Sequence, residues 1–159
     1  MAVDYFLKLD GIDGESTDSK HKGEIELASF SWGVSQSGQP GPGGGGGAGK
    51  ARFQDFHFVA RTTKASPKLF LACASGQHVK SALLTCRRAG RDRFEFIKYK
   101  LSEVLVSSFV TGGSTPEEPL DQVSLNFAKI EMEYVPRGKA GKAEAAVKAA
   151  WDLKANKKI

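Results

Sequence analysis

Cysteine, histidine and long apolar runs are all scarce in this sequence, and each scarcity closes off a class of protein. There are two cysteines, Cys73 and Cys86, with no C-x-x-C spacing and no clustered histidines beside them. A disulfide framework or a zinc site needs more than that, so free, mostly buried thiols are expected, with one disulfide as the alternative. The three histidines, His21, His57 and His78, stand far apart, and neither G-x-S-x-G nor H-E-x-x-H occurs. Surface or rim histidines are the expectation, with no catalytic residue, no metal and no cofactor. Paired acids such as Asp10 with Asp13 and Glu117 with Glu118 fall in turns, where acids are ordinarily solvated. No window approaches 18 uninterrupted apolar residues, so no membrane insertion is expected. The opening MAVDYFLKLDG lacks a basic stretch followed by an apolar core, which implies synthesis in the cytoplasm without a signal peptide.

What is present suits one soluble domain. At 159 residues the chain can bury a core without metal or disulfide staples, and 1–159 reads as a single domain. Its net charge of +5 is concentrated in one place. From residue 137 onward there are seven Lys or Arg against two acids, while the rest of the chain balances. Such a tail can serve as a nucleic-acid arm, but it has one aromatic, Trp151, and no arginine cluster, which favours solvated or protein-facing surface.

The periodicity is mainly that of strands. Tyr5, Leu7 and Leu9 alternate on one face. Ile25 and Leu27 then occupy odd positions, whereas Phe30, Trp32 and Val34 occupy even ones. A period of two cannot change phase within a regular strand, so a bulge or sharp bend is expected near Ala28 and Ser29. Similar slips separate Phe53 from Phe56 and Phe58, and Phe127 from Ile130 and Met132. Three bent strands predict a sheet curling into a bent antiparallel barrel. Further strands are expected near 78–88, 93–110 (two strands or one sharply bent) and 122–135. One helix interrupts them: Ser66 is placed to cap it, Pro67 to take its first position, Leu69, Phe70 and Cys73 to form its apolar stripe, and Gly76 to end it. The loop 111–120, TGGSTPEEPL, reads as a flexible turn with two prolines and two acids.

The segment 37–50, SGQPGPGGGGGAGK, invites a nucleotide-binding reading, since GGGGAGKA at 44–51 approaches a phosphate-binding loop. Ala51 stands where a metal-binding hydroxyl belongs, and the residues that follow are strand-like, so no helix N-terminus would face a phosphate. With eight glycines and two prolines it cannot pack a core and reads instead as a disordered hairpin tip.

Several motifs recur in an order that is specific. Gly14, Glu15 and Ser16 lead to Ser31, Trp32 and Gly33; Ala65, Ser66, Pro67 and Leu69 open the helix that Gly76 closes; SEVLVSSFVTGGS (102–114) and VSLNFAKIEMEY (123–134) follow. Together they resemble the Hcp family, the ring-forming tube protein of the type VI secretion system, across essentially the whole chain. The resemblance implies a mainly β fold, a bent antiparallel barrel with one flanking helix, assembling into a hexameric ring. Rings would stack into a tube that a contractile sheath expels behind a spike, carrying or chaperoning small effectors, so that the protein reaches the extracellular space or a target cell. Partners would be a homohexamer, neighbouring rings, sheath and spike proteins and small effectors. Ser29, Ser31 and Ser35 would face the lumen, or ordinary solvent, while Phe30, Trp32, Pro67 and Leu69 belong to the core. Gln39, Pro40, Pro42, Gly45 and Lys50 would mark the loop that meets the next ring. Residues 140–154 have helix propensity, yet WDLKAN matches a terminal strand of the family, so 150–155 is expected as strand and 138–149 as a mobile connector. A nucleic-acid-binding barrel using the basic tail, and a small hydrolase, are the alternatives from other classes.

Overall fold

The computed structural model describes residues 2–38, 49–90, 92–138 and 141–159. In chain order it forms β1 (Val3–Leu9), β2 (Ile25–Glu26), β3 (Ser29–Ser31), β4 (Val34–Gln36), β5 (Ala51–Phe53), β6 (Phe56–Arg61), helix α1 (Ala65–Ser75), β7 (His78–Arg88), β8 (Glu95–Gly112), β9 (Leu120–Asn126), β10 (Lys129–Tyr134), β11 (Val147–Asp152) and β12 (Lys157–Lys158). The fold is mainly β with one helix, and every pairing between strands is antiparallel.

Each expected phase slip is a place where the chain changes partner. At the first, Leu27 N–H donates to Tyr5 O at 3.0 Å while Ala28 N–H donates to Val59 O at 2.7 Å, so adjacent residues belong to opposite sides of the core. The ladder therefore breaks into β2, paired with β1, and β3, paired with β6, at a corner rather than at a bulge within one strand. The break between β9 and β10 at Phe127 and Ala128 works the same way. Both corners let one apolar set fill one interior.

The third device is β8, which is one strand and not two. Its first half pairs with β10 and its second half with β9, while β7 follows it from His78↔Leu105 to Arg87↔Glu95. Glu103 sits at the bend with φ of 52°, a left-handed conformation that non-glycine residues seldom take. The register also shifts between Val106 and Ser108. From β1 the pairings run through β7, β8, β9, β6 and β3, and the corner returns the chain to β2 beside β1. This circuit is barrel-like, completed through a corner, and it surrounds Leu7, Phe56, Phe58, Leu84, Leu101, Val104, Val123 and Leu125, all nearly inaccessible.

Helix α1 differs from expectation in detail. It starts one residue before the expected cap, so Ser66 is its second residue and Pro67 its third, where the missing N–H still breaks no bond. Pro67 is exposed and not part of the core. Ala65, Ser66, Leu69 and Ala72 form the buried face, at helical spacing, which leaves Phe70 59% exposed against the edge of Phe109. Gly76 does take the left-handed C-terminal position, with φ of 68°.

The C-terminal strand is shifted from 150–155 to Val147–Asp152. The six residues of β10 pair in register from Lys129↔Asp152 to Tyr134↔Val147, so β10 sets the length, and three residues assigned to the connector are strand. Tertiary pairing overrides helix propensity here. A turn with Asn156 in a left-handed conformation then brings back β12.

Candidate cargo-facing surface

Alternation along β3 separates two chemistries. Phe30 and Trp32 turn inward, Phe30 against Tyr5 and Phe56 and Trp32 edge-on to Tyr99 at 5.6 Å. Ser29 and Ser31 turn outward and are exposed. The register then extends the outer face across four strands: Ser31 lies opposite His57, His57 opposite Ser124, and Ser124 opposite Ser108. The adjacent row reads Ser29, Val59, Gln122 and Val110. This platform is short in side chain, nearly uncharged and rich in hydroxyls, with Val110 more than half exposed at its margin.

Ser35 does not join it. It lies on β4 in a separate two-stranded ribbon with β5, opposite Arg52, because the chain leaves the sheet after Trp32. Val34, expected on the inward face with Phe30 and Trp32, is 54% exposed for the same reason. Of the residues expected in the loop to the next ring, Lys50 lines an open cavity of about 650 Å³; Gln39, Pro40, Pro42 and Gly45 lie outside the described residues. Leu69 is buried as expected.

Hydrogen bonds hold the platform's lower edge. Asp55 accepts from Ser107 Oγ at 2.6 Å and from Asn126 Nδ2 at 3.1 Å, and Ser107 Oγ also lies 3.1 Å from Ser124 O. His57 Nδ1 meets Ser124 Oγ at 3.2 Å. Asp55 thus engages Ser107 rather than orienting His57, so these residues do not form the relay that nucleophilic catalysis requires.

Three polar clusters escaped the sequence reading. His21 is buried rather than at the surface, with Nδ1 2.9 Å from Glu24 and Nε2 2.7 Å from Glu95, and its ring stacks on Phe6. Arg87 covers Phe6 with its guanidinium carbon 4.8 Å from the ring centre, and it donates to Asp18 at 2.7 and 3.0 Å. That guanidinium holds the Asp18 carboxyl well below the usual carboxylate range. The segment 14–24 is thereby fastened to β7 by the Asp18–Arg87 ion pair, to β8 by the His21–Glu95 contact and to β1 by the stacking of His21 on Phe6. Third, buried Asp121 accepts hydroxyls from Ser66, from Thr62 at 2.9 Å and from Thr111 at 2.8 Å. It ties α1 and the link from β6 to β8 and β9. Apart from His21 with Glu24, three residues apart, long-range pairing brings these partners together, so local spacing did not announce them.

The described residues thus form a bent antiparallel β circuit with one flanking helix, a polar outer platform and a charged tie over 14–24. Residues 6–134 match the family described as "Type VI secretion system effector, Hcp". The chain belongs to the Hcp family, which is a secretion family and not a family of enzymes. It is 45% identical to Protein hcp1 of Pseudomonas aeruginosa, with 98% of both chains covered. A solved type six secretion system protein superposes with a TM-score of 0.93 at 34% identity, covering 99% of this chain and all of the other. Hcp1 from Salmonella typhimurium does so with a TM-score of 0.85 at 38% identity over the whole of both chains.

These likenesses lend the nucleic-acid reading no support. The tail is also less free than its charge suggested: Lys154 pairs with Glu103 at 3.0 Å, and Arg137 pairs with Asp92 at 2.7 Å while lying over Phe94. Among the described residues no helix is long and apolar enough to cross a membrane.

Proposed function

We propose that this chain is the ring-forming tube subunit of a type VI secretion apparatus. Six copies close into a ring, rings stack, and the platform carrying Ser29 and Ser31 lines the lumen where small effectors are carried or chaperoned. The subunit works without catalysis and leaves the cell through the apparatus, its outer surface meeting sheath proteins and its end a spike. The observation that carries the reading is the platform itself. It is polar without strong charge, which suits a wall along which cargo must rest and then leave.

Closure into a ring follows from the edges. β12 ends the order of the ten-stranded sheet, and β4 with β5 forms a separate two-stranded ribbon; strand edges of that kind are satisfied by a neighbouring chain. A heterologous contact between them closes when its rotation divides the circle.

Negative-stain electron microscopy of the purified chain, with light-scattering mass alongside, tests this. Six copies of the 17.1-kDa chain give a particle of about 100 kDa with a central hole. A strict monomer at all concentrations contradicts the reading.

A further inference from the structure

We propose that the cavity at the corner between β2 and β3 receives β12 of the adjacent copy, so that an acidic end and a basic end of the sheet meet within the ring. This rests on the ring reading above and adds to it the two surfaces and their chemistry.

The cavity opens where the ladder breaks. It has a volume of about 490 Å³, and Leu27 and Ala28 of the corner contribute its apolar lining. Two carboxylates reach it from separate segments, Glu15 from the stretch over 14–24 and Glu26 from β2. Both residues are exposed, and among the described residues neither has a cation within ion-pair distance. Arg61 also lines the cavity, and its ion contact is with Glu118 at 3.9 Å, both side chains largely in solvent. The corner thus offers two uncommitted carboxylates beside apolar surface, which fits a basic segment flanked by an apolar residue.

This chain carries such a segment at the other end of its sheet. The strand order runs from β12 through β11, β10, β8, β7 and β1 to β2. Lys157 and Lys158 form β12 and Ile159 follows, all three exposed. Among the described residues neither lysine has a carboxylate within ion-pair distance. Successive strand residues point to opposite faces, so β12 entering edge-on presents one cation on each side. Its pairing to β11 uses one edge only, and the other edge offers backbone groups that a second chain can satisfy.

Acidic corner and basic strand therefore sit at opposite ends of one sheet. Two like ends repel and two unlike ends attract, which disfavours a two-fold dimer built on either end. An open row of copies leaves one end of each kind unmatched, whereas a closed ring leaves none.

The test joins the two surfaces covalently and then reverses their charges. Glu26→Cys with Lys158→Cys, in a chain whose Cys73 is replaced by serine, is oxidised and run under denaturing conditions. The expected product is a ladder of linked chains that stops at six copies. A ladder that runs past six places the contact between rings, and rings that yield no ladder show that the surfaces do not meet; either overturns the proposal. Glu15→Lys with Glu26→Lys, and separately Lys157→Glu with Lys158→Glu, are expected to raise the concentration at which half the rings dissociate at least about tenfold at low salt, read by light-scattering mass. Combining all four substitutions restores the rings, and added salt brings the variants together. Urea midpoints establish that each variant is folded; should a reversed pair unfold, Glu15→Gln with Glu26→Gln reports the same loss without the added cations. Rings of equal stability in every variant overturn the contact. Absence of the about 100-kDa particle in the wild type is a separate signal, and it overturns the ring reading together with the contact.

Discussion

At the scale of single residues, two groups make the fold's electrostatics measurable. Asp18 is held by Arg87 below its ordinary range, so its native pKa lies under the unfolded value of about 3.9. The pair then contributes its full stability above that value, and the contribution fades as pH falls towards the native pKa. Asp18→Asn is expected to lower stability at pH 7 and to lower it progressively less below about pH 4. Parallel urea titrations across that range check this, and a gap that stays constant into strong acid contradicts it. Cys86 lies in the core, and burial pushes its thiol up to about 12. Iodoacetamide is accordingly expected to modify Cys73 alone in the folded protein and Cys86 only after denaturation, as read by intact mass. Neither state was written in the sequence beyond the scarcity of cysteine, because Cys86 is defined by the strands around it and Asp18 by an arginine 69 residues away.

Among elements, one buried junction gathers around Asp121. A buried carboxylate that satisfies three hydroxyls leaves all three donors unpaired when it is removed. Asp121→Ala is expected to cost about 3 kcal/mol in urea denaturation, and Asp121→Asn less, since the amide oxygen still accepts. The same junction shows what local reasoning reached. Pro67 and Gly76 rightly announced a helix between them, but Ser66 was read as its cap, whereas its hydroxyl goes to Asp121 across 55 positions. Phase slips at Ala28 and at Phe127 were visible as pattern, and the bend was rightly expected. What the pattern could not contain was the change of partner, since a hydrogen bond to Tyr5 or to Val59 is a fact about other strands. In the C-terminal segment, propensity favoured helix over residues that β10 captures as strand. The outward direction of Ser29 and Ser31 was legible because alternation survives within β3, whereas Ser35 lies apart on the β4–β5 ribbon because the chain turns off the sheet after Trp32.

For the molecule as a whole, the platform is a surface with a direction. Ser31→Arg places a long cation at the β3 end of its hydroxyl row without touching the core. On the proposed function, the ring mass stays unchanged and binding of a small effector is lost; retained effector argues that the platform is not the wall cargo meets. The two faces of these strands differ in kind, an apolar interior on one side and a row of hydroxyls on the other.

The continuity of β8 sets how such a body yields to force. Sliding one half of the barrel across the other loads eighteen residues of unbroken backbone, and covalent bonds share that load where a ladder interrupted at this point would shear. At the margin the opposite holds, because β12 pairs through two residues and can be unzipped one bond at a time. A subunit built in this manner frays at its rim long before it loses its girth.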